Sequence, residues 1–261
     1  MARIYSLFSS SKGNCTYLGS KNEGILIDCG ASYSGIAAAL RNNGIDINTA
    51  VKGIFITHEH SDHTKGLKML TKKCGIPVFA SAQTLDILLS REMICGYSED
   101  ITGKIEIAGF TVSHFDIPHD AAEPCAYRVI FPDGKTAGIC TDIGYVTGDI
   151  EDNLTGCDAV LIESNYDDEL LRCCRYPENL KARIRSRKGH LSNRECGELC
   201  SKLISHGTTR FILGHISQDS NTPDKALEVN RNILSEHGYV IMRDYIMTAA
   251  PPVSELGFTS F

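Results

Sequence analysis

The chain is 261 residues long, 42% hydrophobic and 22% charged, with a formal net charge of −6. This is ordinary for a soluble globular protein, and a chain of this length buries enough surface to need no staple for its core. The acid excess excludes a general electrostatic pull on nucleic acid, and no apolar run approaches the roughly 18 residues of a membrane span.

The N-terminus turns polar by Ser9-Ser10-Ser11-Lys12, which leaves no apolar core for a secretory signal. Arg3–Phe8, Cys15–Gly19 and Gly24–Asp28 read as three early strands separated by turns. Ser34–Asn42 reads as a helix closed by Gly44, and Gly53–Thr57 as a short buried strand. Lys104–Ile107 and Phe110–His114 flank a hairpin turn at Ala108-Gly109. Cys125–Phe131 and Thr136–Thr141 flank a stronger one at Pro132-Asp133-Gly134. Asp158–Glu163 is a further apolar strand, and Ser192–His206 a helix opened by the capping box Ser192-x-x-Glu195. Arg210–Leu213, a helix from Pro223 to His237 and a last strand Tyr239–Arg243 follow. The tail from Ala249 to Phe261 carries no signal, and either docks or hangs free. A meander followed by alternating strands and helices, in two comparable halves, predicts an α/β fold. Two mixed sheets face each other with helices outside, in a single domain spanning 1–261.

Eleven cysteines form no C-x-x-C pair and have no recurring spacing. They read as free thiols in a reducing compartment, so the expected location is the cytoplasm. The most informative segment is His58-Glu59-His60-Ser61-Asp62-His63, directly after a buried strand. Alternate residues of an extended segment point the same way, so His58 and His60 can share one metal. Asp62 and His63, beyond the turn, can face a second. Neutral imidazoles with carboxylates suit zinc, manganese or iron, and two such ions can clamp a displacement reaction.

Thr57-His58-Glu59-His60-Ser61-Asp62-His63-Thr64-Lys65-Gly66 resembles the signature loop of metallo-β-lactamase-fold hydrolases. The likeness runs nearly the whole chain and implies the four-layer αββα sandwich. It also implies that Asp28 braces the metal loop from behind, and that His119, Asp142 and His215 complete the ligands. On that basis His58, His60 and His119 hold one divalent ion and Asp62, His63 and His215 the other, with Asp142 between them. His114, His206 and His237 read as structural or solvated.

Gly189-His190-Leu191-Ser192-Asn193 and the opening Ser6-Leu7-Phe8-Ser9-Ser10-Ser11-Lys12-Gly13-Asn14-Cys15 resemble the YycJ/WalJ-like subgroup, related to phosphodiester-cleaving enzymes, with Ser10 where that subgroup more often has glycine. That resemblance implies a 5′-to-3′ DNA exonuclease linked to repair. In this reading a metal-bound hydroxide, oriented by Asp62 and Asp142, attacks phosphorus, and His190 protonates the leaving oxygen. The stretch from Asp142 to His215 is too short for the large inserted domain of RNA-processing relatives, which favours DNA. From Arg172 to Lys188, seven basic side chains face the single acid Glu178. Arg183, Arg185, Arg187 and Lys188, with Ser192 and Asn193 at the helix start, are candidate phosphate or nucleic-acid contacts. Tyr176 in the same run is a candidate to stack on a base. Two other readings stay open. One is a small-molecule hydrolase: a cyclic phosphodiesterase, a lactonase or a thioesterase of the glyoxalase II type. The other is a metal-stabilised regulatory protein without turnover.

Overall fold

The computed structural model describes residues 1–20, 22–253 and 259–261. The strands are β1 (Ala2–Ser10), β2 (Gly13–Ser20), β3 (Glu23–Ile27), β4 (Val51–Phe55), β5 (Val78–Ala80), β6 (Ser98–Asp100) and β7 (Lys104–Ile107). They continue with β8 (Phe110–Asp116), β9 (Cys125–Ile130), β10 (Thr136–Cys140), β11 (Ala159–Glu163), β12 (Arg210–Gly214), β13 (Ile246–Ala249) and β14 (Thr259–Ser260). They form two sheets, ordered β14-β1-β2-β3-β4-β5-β6 and β13-β12-β11-β10-β9-β8-β7.

Each sheet begins as an antiparallel meander and continues as parallel strands: β3 to β6 in the first, β10 to β13 in the second. Parallel neighbours need crossovers, and helices provide most of them. Strand alternation sorts the apolar side chains. Ile25 and Ile27 of β3 point between the sheets, where they meet Phe110, Tyr127 and Leu161, while Leu26 packs under the helices Tyr33–Asn42 and Leu67–Cys74. In β11, Ala159 and Leu161 face the first sheet, and Val160 and Ile162 face the helices Gly148–Leu154 and Asn193–Ser205. A strand covered on both faces is a near-continuous apolar run, and the result is the expected helix–sheet–sheet–helix sandwich.

Ser192 caps the helix Asn193–Ser205 through the expected box with Glu195. The expected strand Tyr239–Arg243 is not formed. Val240 donates its N–H to the Asp244 side chain at 2.7 Å, Arg243 grips the same carboxylate, and Met242 has φ +67°. The segment is a tight loop, and pairing with β12 starts only at Ile246. The chain's end docks: Thr259 and Ser260 pair with β1, and the Phe261 ring meets Phe131 edge-on at 5.4 Å. The rest of the tail, residues 254–258, lies outside the described residues. All eleven cysteines are free thiols. No helix among the described residues is long and apolar enough to cross a membrane.

Candidate metal centre

In open α/β sheets, ligands gather beyond the carboxyl ends of the parallel strands. Here both sheets aim that edge at one point. Asp28 follows β3, His58 follows β4, Asp142 follows β10, Glu163 ends β11 and His215 follows β12. Asp28, Asp142 and His215 hold left-handed φ values of +59°, +61° and +50°. Non-glycine residues rarely adopt that conformation, and when they do it tends to serve a site. In each case it turns the chain sharply at the strand end, so that the side chain faces the cleft between the sheets.

The histidines are anchored through one ring nitrogen and present the other. His63 Nδ1 lies 2.8 Å from Asp28 Oδ2, His215 Nδ1 lies 2.7 Å from Glu163 Oε1, and His119 Nδ1 lies 3.1 Å from the Gly189 carbonyl. The Thr57 hydroxyl lies 3.0 Å from His58 Nδ1 and donates to Asp28 at 2.9 Å. An oxygen behind each ring fixes its tautomer and direction, as is usual for metal-ligating histidine. The nitrogens in front converge. His58 Nε2 and His60 Nδ1 are 3.0 Å apart, and His63 Nε2 lies 3.2 Å from Asp142 Oδ2. Asp142 Oδ1 is 3.8 Å from His119 Nε2, and it also lies 3.3 Å from the anchored Nδ1 of His215.

These atoms fit a cation. His58, His60 and His119 offer three nitrogens within 4.8 Å of one another, and Asp62, His63 and His215 form a second such group. Tetrahedral ligands at about 2.0–2.1 Å sit roughly 3.3 Å apart, close to the His58–His60 separation. Among the described residues, His215 Nε2 and Asp142 Oδ2 are buried and have no partner with hydrogen-bond geometry. Orphans of this kind are costly unless something absent from the polypeptide satisfies them. The cluster is a divalent-metal site.

Its electrostatics are those of a charge cluster out of water. Burial lowers the basicity of His58 and His119. Burial also opposes charge on His63, but Asp28 and Asp142 outweigh it and hold the ring well above the usual histidine range. For His215, burial is likewise overcome by Asp142 and Glu163, which push it to about 9. In the metal-free chain at pH 7, His63 and His215 therefore carry protons that a metal must displace. Loading at pH 7 should release about two protons, fewer as pH rises past 9. Titration calorimetry in buffers of different ionisation enthalpy counts them, and a heat independent of buffer would contradict this charge state.

The sequence pattern of the beta-lactamase superfamily domain matches residues 23–216. The chain belongs to the beta-lactamase superfamily. Within it, the chain is 35% identical over 242 residues to the exodeoxyribonuclease YycJ of Bacillus anthracis, covering 89% of each. It is 33% identical to the exodeoxyribonuclease WalJ of Streptococcus pneumoniae serotype 2, covering 85% of this chain and 84% of that one. The solved structure of zinc-bound PqqB from Methylobacterium extorquens shares the fold, with a TM-score of 0.73, 16% identity and coverage of 99% and 100%.

For this superfamily member, the fold gathers His58, His60, Asp62, His63, His119, Asp142, His190 and His215, with Asp28 behind them. It also adds residues that sequence reasoning missed. Glu163 is fully buried and accepts from His190 Nδ1, His215 Nδ1 and the N–H groups of Ile143 and Leu191 at 2.7–3.0 Å. Asn14, the second residue of β2, reaches Asp62 at 3.4 Å and His63 at 3.1 Å. Ser9 Oγ accepts the His215 N–H at 2.7 Å.

Several expected phosphate contacts need correction. Ser192 is 4% exposed, and its hydroxyl is engaged with Glu195 in the cap. Asn193 is 1% exposed and bonded to Ser164 and Asn221. Neither has a polar group left for a substrate. Arg183 pairs with Asp120, whose other oxygen lies 3.3 Å from His119 Nε2, so its charge is already partnered beside the centre. Lys181 is buried against Glu178 and the Arg172 carbonyl. Tyr176 donates to Asp219 and packs on the small cluster of Tyr166, Leu171 and Ile184 instead of standing free to stack. Arg185 is exposed and donates to the Asp168 carbonyl at 3.4 Å. Arg187 and Lys188 stay exposed.

Proposed function

We propose that this chain is a two-metal exodeoxyribonuclease that removes nucleotides from the 5′ end of DNA, working as one domain in the cytoplasm. One observation carries the reading. A full set of nitrogen and carboxylate ligands converges beside a histidine, His190, that is tied to a buried glutamate, in a chain related over most of its length to proteins named exodeoxyribonucleases.

His58, His60 and His119 would hold one ion, Asp62, His63 and His215 the other, and Asp142 would lie between them. Divalent ions there supply Lewis acidity toward phosphoryl oxygens and make water a competent nucleophile near neutral pH. Zinc, manganese and iron all accept this donor set.

The polypeptide does the rest. Asp62, 23% exposed, presents a carboxylate oxygen at the mouth of the cluster and Asp142 presents one from within it, and together they orient the attacking water. His190 donates Nδ1–H to Glu163 at 2.9 Å, which leaves Nε2 to deliver a proton to the departing oxygen. Its ring is 15% exposed, whereas the rings of His63 and His215 are 0% and 1% exposed, so a substrate reaches it where it cannot reach those two. Arg185, Arg187 and Lys188 add positive charge along the approach to His190, where guanidinium forks suit phosphodiester oxygens.

The test is incubation of the manganese- or zinc-loaded protein with single and double strands labelled at either end. Early release of mononucleotide from the 5′ label, falling steeply as salt rises, is expected. Hydrolysis confined to small phosphodiesters, lactones or thioesters, indifferent to DNA and salt, would overturn the reading.

A further inference from the structure

We infer that the cleft beside Tyr145 is a nucleobase subsite of the metal centre, holding a base of the DNA strand close to the bond that is cut. The inference rests on the nuclease reading and adds which part of the substrate is gripped.

Tyr145 follows Asp142 by three residues, and Arg187 precedes His190 by three. Three residues span at most about 11 Å, so both side chains start within reach of the reacting phosphate's neighbours. The two segments pack in direct backbone contact. Gly144 donates to the Pro118 carbonyl at 2.8 Å, and a Cβ on Gly144 would come within 2.2 Å of the Arg187 carbonyl oxygen. Over this junction the Arg187 guanidinium lies 4.0 Å from the centre of the Tyr145 ring. The pair is a preformed stacking shelf on the loops that carry Asp142 and His190.

Beside the shelf opens a cleft of about 330 Å³ between the helices Gly148–Leu154 and Asn193–Ser205, with Val146 and Leu199 lining it. That is the small end of the range for ligand sites, suited to one heterocycle. Its rim is rich in acids, which would repel DNA were they free, but each is engaged. Glu151 pairs with Lys202, Glu198 with His237 at 3.0 Å, and Glu195 closes the helix cap with Ser192. Arg187 and Arg194 have no carboxylate partner among the described residues. An aromatic wall, apolar lining and two guanidinium groups not paired to a carboxylate among the described residues form the combination that stacks a base and holds the phosphates on either side.

The experiment follows release of the first nucleotide from an end-labelled single strand by the manganese-loaded full-length protein. Substrates carry one abasic residue at the first, second or third position. With wild type, one position should raise KM about tenfold, the scale of one base lost from an aromatic ring. Tyr145→Ala should raise KM on the intact strand by a similar factor, and the abasic substrate should then be no worse than the intact one, because both changes remove the same contact. Tyr145→Phe should restore wild-type KM. Arg194→Ala should reduce the slope of log KM against log salt by about one. The subsite is overturned if Tyr145→Ala binds the intact strand within twofold of wild type, or if the abasic and Tyr145→Ala losses multiply. If wild type releases nothing from the intact strand, the nuclease reading fails first and takes the subsite with it.

Discussion

Asp142→Asn is expected to fold, to lose metal and to lose at least about a thousandfold in rate. Asparagine matches aspartate in size and tolerates the left-handed conformation that residue 142 adopts at φ +61°, so the backbone survives the change. What it removes is charge. Asp142 is 2% exposed, and its two oxygens lie 3.2 Å from His63, 3.3 Å from His215, 3.6 Å from His190 and 3.8 Å from His119. Among the described residues no other carboxylate reaches both clusters of histidines so closely. Burial alone would raise its pKa, yet His215, His63 and His119 hold it well below the ordinary range. An amide in its place leaves those rings without a counter-charge and presents N–H₂ toward atoms that themselves donate or bind metal. Metal catalysis is worth several kcal/mol, at about 1.4 kcal/mol per tenfold. Metal analysis and DNA digestion on one preparation, with circular dichroism to show the fold, make the test. A variant that keeps its metal and its rate would contradict the central place given to this residue.

The proposed ligands are legible in the sequence because the loop packs four candidates into six residues after an apolar strand, and chemistry that dense has few other uses. His119, Asp142 and His215 became legible by their position after strands, through likeness to a family. Glu163 stayed hidden because it closes the run Ala159-Val160-Leu161-Ile162-Glu163 and looks like the first exposed residue after a core strand. The available signal was its symmetry with Asp28 and Asp142, acids that also stand where an apolar strand ends. Ser192 and Asn193 misled for the opposite reason. Capping residues and anion-binding residues are chemically alike, and only the burial of this helix start, with Asn221 and Ser164 against it, separates the two roles. The last strand slipped because Tyr239, Val240 and Ile241 have strand-like side chains. A loop locked by Asp244 overrides that local preference, and Val240 and Met242 are left 45% and 75% exposed.

Glu163→Gln and His190→Ala are expected to damage the enzyme in different ways, and the difference identifies what each does. His190 touches Glu163 and lies beside Asp142, but it stands outside both proposed sets of ligands. Its replacement by alanine should lower kcat by about 10²–10⁴ while metal content stays at the wild-type level. Glu163 is a positioning residue. Four donors point at its carboxylate, and a glutamine can accept through only one of its two heteroatoms, so its N–H₂ must face at least one donor. His190 and His215 share Oε1 and the two backbone N–H groups share Oε2, so whichever pair the N–H₂ faces loses its acceptor, and the brace behind both histidines goes or their loop is disturbed. Turnover should fall, and metal affinity with it by about 10–100-fold, the usual effect of removing the group behind a ligand histidine. A pH experiment separates this from general loosening. Burial would raise the Glu163 pKa, but His190 and His215 hold it at about 2, against about 4.3 when unfolded. A depressed carboxylate contributes stability that is complete above its unfolded pKa and disappears as pH falls through the folded one. The metal-free wild type should therefore lose stability between about pH 4 and pH 2, and metal-free Glu163→Gln should show a flatter profile over that window in denaturant unfolding. If Glu163→Gln kept full metal affinity, or shared the wild-type acid profile, the carboxylate would not be the hub that ties the two histidines. A His190→Ala enzyme at wild-type speed would remove that ring from proton transfer.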